Sequence, residues 1–219
     1  MKIRPFAVEQ WMNAHESACR YNLAETCVES LTIAELLDLA QQKDSILEEL
    51  LPLKMTYGAI EGSGSMSKAF SLAGLRLGWI CGPVDVLRAA EIHRDYNTIS
   101  VGIIDDVLSS IALESRDKIL ARSRALVRTN LATLDRWMQS EQALSYVKPR
   151  AGTIALLKYA VDMPAAEFCL RLLRDTGVLF TPGSAFEVEG TVRIGYANNH
   201  AVLQEGLSRT SAFLRGLRS

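Results

Sequence analysis

One stretch decides the fold of this chain, and it reads Gly64-Ser65-Met66-Ser67-Lys68-Ala69-Phe70-Ser71-Leu72-Ala73-Gly74-Leu75-Arg76-Leu77-Gly78-Trp79. Its single lysine, Lys68, lies among small residues that let a ligand approach the backbone closely. Serine hydroxyls and Arg76 could hold a phosphate group, and Lys68 could form a Schiff base with a carbonyl group of the same ligand. The alternative is a loop rich in glycine and serine in which Lys68 is simply solvated.

The pattern S-x-S-K-x-x-x-L-A-G-L-R-x-G-W over residues 65–79 resembles the cofactor-lysine segment of class I/II aminotransferases, which are pyridoxal-phosphate enzymes of fold type I. The resemblance implies that Lys68 carries pyridoxal 5'-phosphate and then shuttles the Cα proton of the substrate. It also implies that Ser65 and Arg76 grip the cofactor phosphate. The fold it implies is a truncated α/β fold type I, with a largely complete small domain of α+β type.

Two other motifs overlap the same residues. Ser65-Met66-Ser67-Lys68 fits the S-x-x-K motif of serine acyl-enzymes, but the S-D-N and K-T-G motifs of that class do not occur. Residues 62–68 resemble a phosphate-binding P-loop, but Ser67 stands where that motif requires glycine. A serine acyl-enzyme that uses Ser65 and Lys68 stays open as an alternative.

Two further segments resemble the aminotransferases. Tyr57 begins a Tyr-Gly-x-x-x-Gly segment, and the resemblance implies that this tyrosine reaches the cofactor phosphate of a partner subunit. Residues 182–186 form a P-G-x-x-F turn before a strand whose arginine, here Arg193, would bind the substrate α-carboxylate. A planar guanidinium matches a carboxylate through two hydrogen bonds. The alternatives are a turn aromatic that covers the core for Tyr57 and a solvent-facing strand arginine for Arg193.

The order of these segments indicates an internal deletion. In the family a long α/β stretch follows the position of Ser63, whereas here Ser63 runs directly into Gly64. The resemblance implies that the missing stretch carries the aspartate for the pyridine nitrogen, the aromatic that stacks on the ring and further cofactor contacts. Two hypotheses follow. One is an impaired aminotransferase of amino acid metabolism, acting on an amino acid and a 2-oxo acid, and the other is a non-catalytic, dimerising remnant.

The same deletion predicts self-association. The helices expected between residues 84 and 141 would lose part of the sheet on which they pack, and a large exposed apolar patch favours association. We therefore expect a homodimer or a larger assembly.

Composition excludes several classes of partner. The 219 residues carry a formal net charge of −1, which gives no reason to expect nucleic acid, and no apolar run is long enough to span a membrane. The start of the chain lacks the apolar core of a signal peptide. The four cysteines form no C-x-x-C pair and the three histidines are far apart, so we expect no metal site and a cytoplasmic location.

The resemblance implies three regions: 1–62 as an N-terminal arm and the start of the large domain, 63–141 as the cofactor-lysine loop, strand and helices that remain of the large domain, and 142–219 as the small α+β domain. Thr32 and Glu35 form a capping box before a short helix. Helices are predicted over 6–20, 84–96, 104–114, 116–141, 164–176 and 201–217, and strands over 75–81, 145–148, 154–159, 178–180 and 191–197. The arginines of the long helix are expected to form a solvated face, and they are Arg116, Arg122, Arg124, Arg128 and Arg136.

Overall fold

The computed structural model describes residues 6–41, 64–98 and 100–217. The chain forms two compact units: unit 1 comprises residues 1–26 and 126–219, and unit 2 comprises residues 27–125. The sequence instead placed the divisions after residues 62 and 141. Unit 1 therefore combines the first part of the chain with the C-terminal part.

The helices of the described residues are α1 (Ala7–His15), α2 (Ile33–Ala40), α3 (Val84–Asp95), α4 (Ile103–Glu114), α5 (Arg116–Ser140), α6 (Ala165–Thr176) and α7 (His200–Gly216). The strands are β1 (Tyr21–Asn22), β2 (Gly64–Ser65), β3 (Gly78–Trp79), β4 (Leu144–Tyr146), β5 (Ile154–Tyr159), β6 (Val178–Leu179), β7 (Thr181–Pro182) and β8 (Thr191–Gly195). Short 3-10 turns cover Glu16–Ala18, Ala73–Leu75 and Gly183–Phe186.

Unit 1 is built on a four-stranded antiparallel sheet with the strand order β4-β5-β8-β7. Alternate residues of β5 are buried, because one face of the sheet packs against apolar helix residues. At the centre of this core the Tyr159 ring stacks on Phe168, with centroids 4.6 Å apart, and Phe168 meets Phe213 edge-on. A separate parallel pair joins β1 to β6.

Helix α6 shows how local chemistry sets the bounds of an element. Pro164 occupies its N-cap, where a missing N–H costs nothing, and Gly177 ends it with a left-handed φ of 74°. The Gly177 N–H donates to Leu173 O at 2.8 Å. The predicted helix over 164–176 and its glycine stop are confirmed.

Unit 2 has its own apolar core, formed by buried residues of the lysine loop, α2, α4 and the start of α5. The predicted capping box is present, since Thr32 Oγ1 accepts the Glu35 N–H and the Glu35 carboxylate accepts the Thr32 N–H at 2.7 Å. These bonds hold the pKa of the Glu35 carboxyl below its usual value.

The predicted strand over 75–81 is wrong in most of its length. A 3-10 turn covers Ala73–Leu75, and Arg76 has a left-handed φ of 49°, which no extended strand allows. Of this range only Gly78–Trp79 forms a strand, and it pairs antiparallel with Gly64–Ser65. The solvated arginine face holds for four members of the set but not for Arg122, which is half-buried and hydrogen-bonded.

Candidate active site

The lysine loop, residues 64–79, is closed at its base by backbone pairing. Gly64 lies opposite Trp79 and Ser65 opposite Gly78, and the Met66 N–H donates to Leu77 O at 3.1 Å. Met66 is fully buried and anchors the loop in the core of unit 2. Ser65 is paired with Gly78, and Arg76 lies two residues before Gly78. The strand pairing therefore brings Ser65 and Arg76 to the same end of the loop.

The three residues expected to hold the cofactor, Ser65, Lys68 and Arg76, are all exposed. Ser65 Oγ accepts the Ser67 N–H at 3.0 Å, which leaves the hydroxyl hydrogen to donate. One nitrogen of Arg76 donates to Ala73 O at 3.0 Å, and the guanidinium has further N–H donors. Lys68 Nζ lies 3.5 Å from Cys27 Sγ.

A polar cluster inside unit 2 supports this loop. Ser71 is buried with a left-handed φ of 60°, its N–H donates to Lys68 O, and its own carbonyl accepts the Leu31 N–H. Its hydroxyl lies 3.1 Å from Ser123 Oγ. Arg122 donates to Ser71 Oγ at 3.4 Å and to Glu29 O at 3.2 Å, so it joins the loop to the segment that carries Cys27.

Arg193, the predicted carboxylate ligand, lies in unit 1 on β8. Its Nη2 donates to Ala24 O at 3.0 Å and to Thr181 Oγ1 at 3.1 Å, and its Cζ lies 5.0 Å from the Phe186 ring centroid. Its Nε is buried and has no hydrogen-bond partner among the residues that the structure describes. Desolvation lowers the pKa of the Arg193 guanidinium, and the charge of Glu9 opposes this shift. Among the described residues, Arg193 is therefore a partly desolvated cation held by neutral acceptors.

A close crossing of two chain segments places Ala24 beside Arg193. The Gly195 N–H donates to Leu23 O at 2.7 Å, and a Cβ at Gly195 would lie 1.5 Å from Glu25 O. Only glycine therefore lets the segment cross β8 here. Asn22 Oδ1 shapes the segment by accepting the N–H groups of Ala24 and Glu25.

Arg193 opens into a pocket of about 290 Å³ within unit 1. Helix α1 forms much of its wall, and it is fixed by buried Val8 and by Trp11, whose Nε1 donates to Phe180 O at 2.9 Å. The other residues that line this pocket are Phe6, Glu9, Met12, Asn13, Glu16, Ala24, Glu25 and Thr26.

Of the predicted site residues, the structure gathers Ser65, Lys68 and Arg76 on one loop of unit 2 and places Arg193 in a pocket of unit 1. Tyr57 lies outside the described residues. No group of three or more His, Cys, Asp or Glu suited to a metal ion occurs within 6–41, 64–98 and 100–217. In the same ranges, no helix is long and apolar enough to cross a membrane.

No sequence motif identified several of the residues that surround the site. Cys27 is 41 positions from Lys68 and Arg122 is 51 positions from Ser71, so no local motif joins either pair. Ala24 acts through its backbone carbonyl, which any residue type provides. Glu9 lies in the first turn of α1, where a glutamate is ordinary.

The residues present fit the phosphate and carbonyl end of pyridoxal 5'-phosphate. The lysine loop offers a primary amine, a hydroxyl and a guanidinium on a backbone that is closed by hydrogen bonds. These are the donor types that a phosphate and an aldehyde require.

Comparison with known proteins identifies the family. The family model "Aminotransferase class I and II" matches residues 40–209, and the chain belongs to that family, whose cofactor is pyridoxal 5'-phosphate. Over 87% of its length the chain is 28% identical to capreomycidine synthase of Streptomyces vinaceus, and over 67% it is 29% identical to an aspartate aminotransferase of Rhizobium meliloti. It spans 53% and 38% of those two proteins, about half of their length or less.

Solved structures show the same fold. A PLP-dependent aminotransferase from Streptococcus suis 89-1591 superposes with a TM-score of 0.94 at 23% identity, over 99% of each chain. The PLP-dependent cyclase OrfR superposes with a TM-score of 0.88 at 16% identity, over 100% of this chain and 99% of the other. The mixed fold expected from the sequence, that of the PLP-dependent aminotransferases, is thereby confirmed.

The lysine loop yields a prediction about Ser71. Replacing Ser71 by alanine removes its hydroxyl bonds but keeps the left-handed backbone, so we expect a loss of about 1–3 kcal/mol in the free energy of unfolding. Ser71→Gly also removes the hydroxyl, but glycine relieves about 1 kcal/mol of backbone strain, so its loss should be smaller. Urea denaturation measures both.

Ser123→Ala is the matched control, because it removes the partner hydroxyl without touching the strained backbone. An equal or larger loss for Ser71→Gly than for Ser71→Ala would contradict the role given to the left-handed conformation.

Proposed function

We propose that the chain is a pyridoxal-phosphate-dependent aminotransferase that transfers an amino group between an amino acid and a 2-oxo acid. The observation that carries the proposal is the lysine loop. It presents Lys68, Ser65 and Arg76 within twelve positions, on a backbone whose two ends are paired. When bound, pyridoxal 5'-phosphate supplies the electron sink that stabilises negative charge at the substrate Cα.

Each residue has a separate task in this proposal. Ser65 donates its hydroxyl hydrogen to the cofactor phosphate, and Arg76 neutralises the phosphate charge. Lys68 attaches the cofactor through Nζ and carries the Cα proton of the substrate. Arg193 binds the substrate carboxylate, because the carboxylate gives this cation the counter-ion that it lacks among the described residues. Tyr57 stays a proposed phosphate ligand from the sequence alone.

A PLP-dependent reaction other than amino transfer is a second candidate, because two of the similar proteins are not described as aminotransferases. They are a capreomycidine synthase and a PLP-dependent cyclase. In this alternative Lys68 keeps its tasks, but the amino group stays on the substrate. The non-catalytic dimerising remnant is the remaining alternative from the sequence, and it predicts no turnover at all.

The attachment of the cofactor at Lys68 is directly testable. We expect borohydride reduction of the cofactor-loaded chain, followed by peptide mapping, to label Lys68, because in the sequence no other lysine sits in a Gly/Ser-rich segment followed by a matching arginine. Lys158→Ala, a change at a second exposed lysine, is the control and should leave the label unchanged. A label on Lys54 or Lys158 in the unaltered chain would remove the basis of the assignment.

Turnover separates the candidate reactions. The deletion inferred from the sequence predicts amino transfer at least about 10²–10³-fold slower than in a complete family member, since the partner of the ring nitrogen is missing. The chain spans 53% of the capreomycidine synthase and 38% of the aspartate aminotransferase, which agrees with a shortened chain, and the predicted impairment rests on the sequence alone. The measurement is transfer of ¹⁵N from an amino acid to a 2-oxo acid.

Three outcomes of this assay differ in meaning. Robust transfer refutes the predicted impairment and supports the aminotransferase. Amino-acid consumption that needs no 2-oxo acid supports the second reaction class. A cofactor that binds without any turnover supports the remnant.

We propose a cytoplasmic homodimer. All four cysteines are free thiols, as is usual in a reducing compartment. None of the described side chains from Val84 to Arg94 is buried, which is unusual for a helix with this many apolar residues. The apolar side chains that are more than half exposed in or beside α3 are Ile80, Val84, Val86, Ile92 and Tyr96. A second copy of the chain would cover them.

Light scattering tests the dimer. We expect a mass of two chains at micromolar concentration, and Ile92→Asn combined with Tyr96→Ser should shift it toward one chain, because both side chains lie on the uncovered helix. Val147→Asn, at a 90% exposed position in unit 1, is the control and should leave the mass unchanged. A monomer at all concentrations would rule out the dimer.

A further inference from the structure

The pocket at Arg193 contains a second, opposite charge. Three carboxylates line it, and two of them already have interactions: Glu16 accepts a hydrogen bond from Asn22 Nδ2 at 2.9 Å, and Glu25 has a partner of its own. Glu9 forms no hydrogen bond and no ion pair with any described residue. Its charge nevertheless acts on Arg193. The pocket therefore presents one guanidinium and three carboxylates, and of these carboxylates Glu9 is the one without a hydrogen bond or ion pair among the described residues.

The helix turn that carries Glu9 is held in place by its neighbours. It lies in the first turn of α1, between Val8, which is buried in unit 1, and Trp11, whose indole N–H is bonded to Phe180 O. An ordinary helix-dipole role would account for a glutamate in this turn. It does not account for its place in the wall of the Arg193 pocket. Every amino acid carries a carboxylate and an α-amino group, but in the proposed function the α-amino group is the one that is transferred, so a cation that meets Glu9 must belong to the side chain.

We propose that the substrate is an amino acid with a cationic side chain, whose carboxylate binds Arg193 and whose side-chain cation binds Glu9. This inference rests on the proposed role of Arg193 in substrate binding. The pocket volume of about 290 Å³ is at the lower end of the range for small-molecule sites, which fits a single amino acid and not a larger ligand. Glu9 is exposed, so its attraction for the cation is screened by salt.

The test compares two amino acids of equal length. L-lysine and L-norleucine have the same carbon chain, but only lysine carries the side-chain ammonium. Isothermal titration of the full chain at pH 7 and low ionic strength should give at least tenfold tighter binding of L-lysine. Raising the salt concentration to 0.5 M, about a 4 Å screening length, should reduce that ratio.

Three variants assign the effect. Glu9→Gln should bring the ratio close to one by weakening L-lysine while L-norleucine is unchanged. Glu167→Gln is the matched control, because Glu167 is an exposed glutamate in the first turn of α6 in the same unit and does not line the pocket. Arg193→Lys should weaken both ligands to a similar extent. Circular dichroism confirms that each variant is folded.

The outcomes separate this inference from the proposed function. If Arg193→Lys weakens both ligands but the native ratio is near one, the cationic side chain is refuted and the carboxylate site stands. If Arg193→Lys changes neither affinity, both proposals fail. Absence of L-lysine binding at millimolar concentration, or an equal loss of the ratio in Glu9→Gln and Glu167→Gln, also overturns the inference.

Discussion

The left-handed backbone of Ser71 is the constraint on which the lysine loop depends. A buried serine in this conformation costs free energy, and the hydrogen bonds of its N–H, carbonyl and hydroxyl offset that cost. One of these bonds closes the turn on Lys68, another joins Leu31, and the hydroxyl meets the first half of α5. The position of Lys68 is therefore set by residues far from it in sequence, with Arg122 as the tie between them.

Local chemistry allowed much of the fold to be predicted. The capping box at Thr32, the Pro164 and Gly177 bounds of α6 and the alternation of β5 depend on neighbouring residues, and each appears in the structure. The prediction of a strand over 75–81 was wrong because the alternating pattern is also compatible with a turn after which Leu77 is buried in the core. The grouping of residues 1–26 with the C-terminal part depends on contacts such as the pairing of β1 with β6, for which the sequence gives no local signal.

Part of the candidate site could be predicted from a local motif, and part of it could not. Ser65, Lys68 and Arg76 form one contiguous motif, so a resemblance could find them together. The surroundings of Arg193 could not be found, because its acceptor Ala24 is 169 positions away and contributes only a carbonyl. The arginine itself was recognisable in the sequence, but the lack of an ion-pair partner for it among the described residues is seen only in the folded unit.

The lack of a counter-ion for Arg193 among the described residues indicates which part of a substrate this residue could bind. A partly desolvated guanidinium held by two neutral acceptors loses hydration without gaining an ion pair, and a bound carboxylate repairs this deficit. Every amino acid carries such a carboxylate, so in its proposed role Arg193 would select the class of substrate and not the individual amino acid. Discrimination must then come from groups in the pocket wall that meet the side chain. Helix α1 supplies much of that wall, so its exposed polar residues Glu9 and Asn13 are the groups that could discriminate between side chains.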